Sequence, residues 1–202
     1  MKFIIAKKIG MSQVFAQDGT VIPVTVLQAG PLTVTQVKTV ENDGYQAVQV
    51  GFGSKKAKHT TKPMQGHLKD LGLFSVIKEF RTTDTYERGQ KLTVEQFTAG
   101  ESVDATGVSI GRGFAGVVKR HGFHGSPATH GHKDQLRMPG SLASKRQGPV
   151  AKGKRMGGHM GVDRVTIKNL TVVEIDTANN ILKVKGAVPG ATGAIVTVKT
   201  SK

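Results

Sequence analysis

Apolar and polar positions partly alternate in short runs near the start of the chain. In Thr33-Val34-Thr35-Gln36-Val37 and Gln46-Ala47-Val48-Gln49-Val50 the alternation is that of half-buried strands. The pattern predicts strands over 3–9, 13–15, 21–29, 33–39 and 45–52, the beginning of a β-meander or barrel. Asp18-Gly19, Gly30-Pro31 and Asn42-Asp43-Gly44 punctuate them, each suited to a tight turn. The pattern returns at the other end, with strands expected over 164–175, 181–185 and 194–199. Their connections are Asp176 to Asn180 and the glycine-rich Gly186 to Gly193. The two β-rich ends are expected to close one sheet or barrel together.

Between them the pattern weakens. Residues 53–72 turn basic and polar, and Pro63 and Gly66 argue against one continuous helix, so an irregular surface excursion is expected. A strand over 74–81, a short helical or turn element at 94–97 and a strand over 103–108 follow. From Gly111 to Gly161 regular periodicity stops. Glycine recurs throughout, and Pro127, Pro139 and Pro149 break any regular element. The large apolar residues, chiefly Phe114, Phe123, Leu136 and Leu142, are too few to cover a core.

Charge singles out the same segment. The chain carries 29 Lys and Arg against 14 Asp and Glu, a net +15, which favours a polyanionic partner. Gly111–Gly161 holds ten basic residues and one acid, Asp134, so +9 of that charge lies in a quarter of the length. Five of the seven histidines lie there too, at 121, 124, 130, 132 and 159. A long loop with this charge reads as functional. Such an arm would be disordered alone and would order as its cations meet phosphates. Doubled back on itself, about 50 residues at ~3.3 Å each reach at most about 80 Å.

Composition excludes other chemistries. The chain has no cysteine, which rules out disulfides, thiolate metal sites and a cysteine nucleophile, and fits a reducing, intracellular setting. No targeting segment is read at the start, no apolar run approaches the ~20 residues a membrane span needs, and no membrane partner is expected.

Two glycine motifs imitate nucleotide sites. Gly111-Arg-Gly113-Phe-Ala-Gly116 matches a dinucleotide fingerprint in letters, but Gly122 and Gly125 interrupt the helix that should follow, and Asp134 has no strand before it. Gly148-Pro-Val-Ala-Lys-Gly153-Lys154-Arg155 resembles a phosphate-binding loop until Arg155 replaces the hydroxyl that should reach magnesium. No cofactor and no small-molecule substrate is therefore expected, and a nucleotide-dependent enzyme is the rival reading. What both motifs keep is glycine for close backbone approach beside cations for phosphate, which suits a nucleic-acid backbone equally. The histidines lack cysteine and carboxylate partners, so no metal is expected and RNA contact is the better use. Ser126, Ser141 and Ser144 form no triad with an oriented base.

The run Phe97…Asp104…Gly107-Val-Ser109-Ile-Gly111-Arg112-Gly113-Phe-Ala-Gly116-Val-Val-Lys-Arg120 resembles, position by position, the signature of the bacterial large-subunit ribosomal protein L3 family. Further matches are Ala6-Lys-Lys-Ile-Gly-Met11, Asn42-Asp-Gly-Tyr45, Ala128-Thr-His-Gly131, Pro139-Gly-Ser141, Gly153-Lys-Arg-Met156 and Lys185-Gly-Ala-Val-Pro-Gly-Ala-Thr-Gly193, so the resemblance spans essentially the whole chain. It implies a mainly β fold: a β-barrel of the translation-protein type, with a small inserted α or irregular excursion and a long, irregular basic arm. The body would be 1–110 and 162–202, with the excursion at about 54–100, and 111–161 the rRNA-binding arm.

The resemblance further implies a cytoplasmic, non-enzymatic constituent of the large ribosomal subunit that binds large-subunit rRNA near its 3′ domain and aids early assembly. Its arm would support the RNA around the peptidyl-transferase centre, and its partners would be that rRNA and neighbouring large-subunit ribosomal proteins. A general nucleic-acid chaperone is the alternative. The expected RNA-binding residues are Gly111, Arg112, Gly113, Gly116, Lys119, Arg120, His121, His130, Arg137, Lys145, Arg146, Lys152, Lys154 and Arg155. Two positions depart from the family. Many relatives carry Trp where this chain has His121, which changes a stacking contact. The family's methylated glutamine has Gln147 as its nearest counterpart, within a Ser144–Pro149 stretch one residue shorter than in those relatives.

Overall fold

The computed structural model describes residues 1–143, 146 and 148–201, and Lys145 and Gln147 lie outside them. In chain order the strands are β1 (Phe3–Phe15), β2 (Val21–Ala29), β3 (Leu32–Lys38), β4 (Ala47–Ser54), β5 (Phe74–Phe80), β6 (Lys91–Leu92), β7 (Ser102–Val108), β8 (Phe114–Ala115), β9 (Gly158–His159), β10 (Arg164–Asp176), β11 (Ile181–Lys185) and β12 (Ile195–Thr200). The helices are α1 (Val40–Asp43), α2 (Lys62–His67) and α3 (Val117–His121). The chain folds as two compact units, residues 1–108 with 164–202, and residues 109–163.

The first unit is built on a closed barrel in the order β1-β12-β7-β10-β11-β2, antiparallel at every pair. Strand period explains its interior, because alternate residues face inward: Leu182 and Val184 of β11 and Val196 and Val198 of β12 are buried, while their neighbours are less so. β1 departs from that rule, for Phe3, Ile4, Ile5 and Ala6 are all buried. A second sheet, ordered β5-β4-β3-β6, covers the outer side, and Phe3 stacks on Phe80 of β5 with ring centroids 4.3 Å apart. Barrel and second sheet share one core, in which Ile4, Leu27 and Val198 join Val34, Val50 and Phe97. Replacing Leu182 by Ala, at a fully buried position, should lower stability by about 2–5 kcal/mol, read as a shift in the denaturant midpoint.

Three local expectations change. The two strands predicted over 3–9 and 13–15 are one, because a register shift between Lys8 and Gly10 takes up the irregularity and pairing with β2 continues to Phe15↔Val21. The strands at 33–39 and 45–52 do not continue the barrel. They are β3 and β4, and the chain leaves the barrel for the second sheet at the cis Gly30–Pro31 bond. The excursion expected to be irregular contains α2, with Pro63 in its first turn, where the missing N–H is no loss, and Gly66 near its end.

β10 is kinked to fit. Its pairing with β7 shifts register between Ile167 and Leu170, Asn169 lies at φ 56°, and the nearly buried Asp104 carboxylate of β7 accepts the Asn169 N–H at 3.1 Å. A carboxylate in a barrel strand thus satisfies a backbone donor that the bulge strips of its ladder partner.

Candidate nucleic-acid interface

The second unit, residues 109–163, begins and ends on adjacent backbone. Ser109 N–H donates to Asp163 C=O at 2.9 Å, Val162 N–H to Ser109 C=O at 3.2 Å, and Asp163 N–H to Ser109 Oγ at 3.1 Å. The ladder continues with Arg112 N–H to Met160 C=O (2.9 Å) and Met160 N–H to Gly113 C=O (3.0 Å), then into the β8–β9 ribbon, where Phe114 faces His159 and Ala115 faces Gly158. Gly161 is what permits this closure. It lies at φ 84°, and a Cβ there would come within 2.2 Å of Ile110 O and 2.9 Å of Gly111 Cα. Gly161→Ala should therefore open the base of the unit. The expected readout is faster proteolytic cleavage between 109 and 163 with the barrel left intact.

After Gly116 the chain makes one short helix. Val117 is buried and anchors α3, Lys119, Arg120 and His121 occupy its last turn, where cations meet the negative helix end, and Gly122 at φ 72° stops it. Two of those cationic positions also hold the returning chain: Arg120 Nη1 donates to Met156 C=O at 2.9 Å and His121 Nε2–H to the same oxygen at 3.0 Å. Gly158 makes room for the guanidinium, since a Cβ there would lie 2.8 Å from Arg120 Nη1. Beyond α3, Gly125 lies at φ 74° where a Cβ would sit 2.2 Å from Leu136 O, and Ser126 N–H donates to that carbonyl at 3.0 Å. His121, Phe123, Gln135, Met138 and Arg155 line an open hollow of about 940 Å³ beside this crossing.

Packing within the unit is thin and its charge is unbalanced. Among the described residues of 109–163, Ala115 and Val117 are the buried apolar side chains. At ~2 kcal/mol each, two such burials fall far short of ordering some fifty residues at ~1–2 kcal/mol apiece. The side chains of Arg112, Lys119, Arg137, Lys152, Lys154 and Arg155 are exposed and make no hydrogen bond or ion pair with another described residue. Among the described residues, no group of three or more histidines and carboxylates could hold a metal, and no helix is long and apolar enough to cross a membrane.

Comparison with known proteins bears on the whole chain. The family model for Ribosomal protein L3 matches residues 57–202. The large ribosomal subunit protein uL3 of Herpetosiphon aurantiacus is 52% identical over 199 residues, covering 96% of this chain and 94% of that protein. The uL3 proteins of Dehalococcoides mccartyi (51%, 97% of this chain and 96% of that protein) and Carboxydothermus hydrogenoformans (47%, 98% and 96%) are similar throughout. The chain belongs to the ribosomal protein L3 family.

In this L3 family member the expected site residues fall into three groups. Arg112, Lys119, His130, Arg137, Lys152, Lys154 and Arg155 are exposed, and Arg146 is exposed as well. Arg120 and His121 are partly committed to Met156. His121 also tilts against Phe123, centroids 6.1 Å apart, so the imidazole at the position of the family's Trp is used inside the unit. The glycines differ in what they do: Gly113 needs its positive φ of 62°, Gly111 is crowded by Val162 at 3.0 Å, and Gly116 has open space around it.

Sequence reasoning missed two surfaces. One is Phe114, 83% exposed on the β8–β9 ribbon. The other is in the first unit, a cleft of about 780 Å³ where Lys78 of β5 meets Arg164 of β10 and Lys199 of β12 above Thr106, Thr166 and Thr197. Burial, and then the nearby Arg164 charge, hold the Lys78 ammonium below the usual lysine value. Lys78, Arg164 and Lys199 have no ion-pair partner among the described residues. No local signal marks that cleft, because its cations are scattered one per strand across the chain.

Proposed function

We propose that this chain binds large-subunit rRNA near its 3′ domain through the 109–163 arm, with the Lys78–Arg164–Lys199 cleft of the body as a weaker second contact. Family membership makes it a structural constituent of the large ribosomal subunit, at work on the cytoplasmic ribosome, and not an enzyme. The finer reading is that binding occurs early in subunit assembly beside neighbouring large-subunit proteins. The arm then supports RNA around the peptidyl-transferase centre while supplying no catalytic group.

The observation that carries this reading is the arm's combination of six unpartnered, exposed cations with two buried apolar side chains. A segment that lacks both counter-ions and a core gains both from a polyanion that it can wrap. In this reading Lys119, Arg120, Arg137, Lys145, Arg146, Lys152, Lys154 and Arg155 neutralise phosphates, His130 adds an RNA contact, and Gly111, Gly113 and Gly116 admit the RNA backbone closely. Gln147 is the proposed methylation position at the arm's tip.

The test is a salt titration of rRNA binding beside an unrelated structured RNA of equal length. At least about a hundredfold preference for the rRNA supports a dedicated ribosomal component, against typical specificity ratios of ~10³ or more for nucleic-acid sites. Equal binding leaves only the charge term and replaces this reading with a general nucleic-acid chaperone.

A further inference from the structure

The geometry points to a base-stacking seat on the outer face of the β8–β9 ribbon, made by Phe114 with His159, that takes an unpaired nucleobase of the RNA the arm binds. The inference rests on the rRNA-binding reading above and adds the residue and the chemical group it holds.

The ribbon has two faces. Ala115 is buried, and the Arg120 guanidinium sits where a Gly158 Cβ would point, so that side is turned inward. Phe114 and His159 are directly paired across the ribbon, which puts both side chains on the opposite face. Both are exposed there, Phe114 at 83%. Folding therefore stabilises the chain hardly at all through this ring. The ring is nevertheless held in place. Gly157 leaves room for it, since a Cβ at that position would lie 3.3 Å from Phe114 Cε1 and Cζ. The paired hydrogen bonds between Arg112, Gly113 and Met160 fix the strand immediately before it. A ring displayed in one orientation loses little freedom when a flat partner lands on it.

Charge selects the partner. The segment 111–161 has a single carboxylate, Asp134, against ten cations, and the exposed Arg112 lies two residues from the ring with its guanidinium unpaired. An aromatic face flanked by cations is the arrangement that receives a base and its phosphate. A base inside a helix has both faces covered by its neighbours, so the seat requires one from a loop, bulge or end. An apolar protein surface could use the same ring as simple contact area, and the test separates the two.

The full chain is compared with Phe114→Ala, Phe114→Leu and Phe114→Trp for binding to large-subunit rRNA at fixed salt. Both Phe114→Ala and Phe114→Leu should weaken binding by roughly ten- to a hundredfold with an unchanged salt slope, and Phe114→Trp should bind as tightly as the parent. Because the chain has no tryptophan, the Phe114→Trp side chain is a unique fluorophore. Its emission should be quenched by the rRNA and left unchanged by a fully paired RNA duplex. Full binding by Phe114→Ala, while the parent still prefers rRNA, overturns the seat and leaves the rRNA reading standing. Full binding by Phe114→Leu overturns it in favour of plain apolar contact. A parent chain that shows no preference for rRNA overturns the underlying reading instead.

Discussion

Affinity for large-subunit rRNA should fall by about four orders of magnitude between 50 and 200 mM salt if about eight arm cations engage phosphates, since each adds ~0.9 to the logarithmic salt slope on duplex nucleic acid. The expected set is Lys119, Arg120, Arg137, Lys145, Arg146, Lys152, Lys154 and Arg155. Arg120 stays in it although one of its N–H groups goes to Met156, because a guanidinium keeps its charge and has further donors to spend. Replacing Lys152, Lys154 and Arg155 together by Ala should lower the slope by about three while weakening binding to all RNAs alike, as phosphate contacts do. A slope near zero, measured by filter binding at several salt concentrations, would remove the electrostatic basis of the proposal.

Excising the arm should separate folding from binding. All six barrel strands lie within 1–108 and 164–202, and Val108 pairs directly with Arg164 across β7 and β10. The excised segment contributes neither to the first unit's core cluster nor to its sheets. Replacing residues 110–162 by a Gly-Ser loop of hairpin length should then give a chain that still melts cooperatively. That chain should bind rRNA weaker by several orders of magnitude, the residual affinity coming from the Lys78–Arg164–Lys199 cleft. Loss of cooperative folding on excision would show that the barrel needs the arm, and undiminished binding would move the interface to the body.

Much of this molecule could be read from residue order. The alternating valines of 33–37 and 46–50, and the runs at 164–175 and 181–185, became strands because a period of two can bury one face only as an extended chain. The turn at Asn42-Asp43-Gly44 became the short α1, capped by Gly44 at φ 79°, a left-handed conformation glycine adopts without strain. Gly122 ended α3 in the same way. The break in periodicity at 111 and the massing of cations beyond it located the candidate interface without any structure. The two nucleotide-like glycine motifs were separable from real ones by what should follow each, and the first is followed by a helix of only five residues.

What residue order determined, then, was local: which segments extend, where they turn, and where uncompensated charge collects. Pairing was decided only in three dimensions. Nothing in 33–39 or 45–52 distinguishes a barrel strand from one in the second sheet, since alternation marks a buried face and not the neighbour that buries it. The four consecutive buried residues Phe3 to Ala6 make sense only once Phe80 covers the outside of β1. The cationic cleft is invisible in the chain because residues 78, 164 and 199 become neighbours through β5, β10 and β12 alone. The outward display of Phe114 required knowing that its ribbon partner is His159 and that Ala115 takes the buried side. Each of these depends on contacts between residues far apart in sequence, and a side chain's exposure is a property of what packs against it rather than of its own identity.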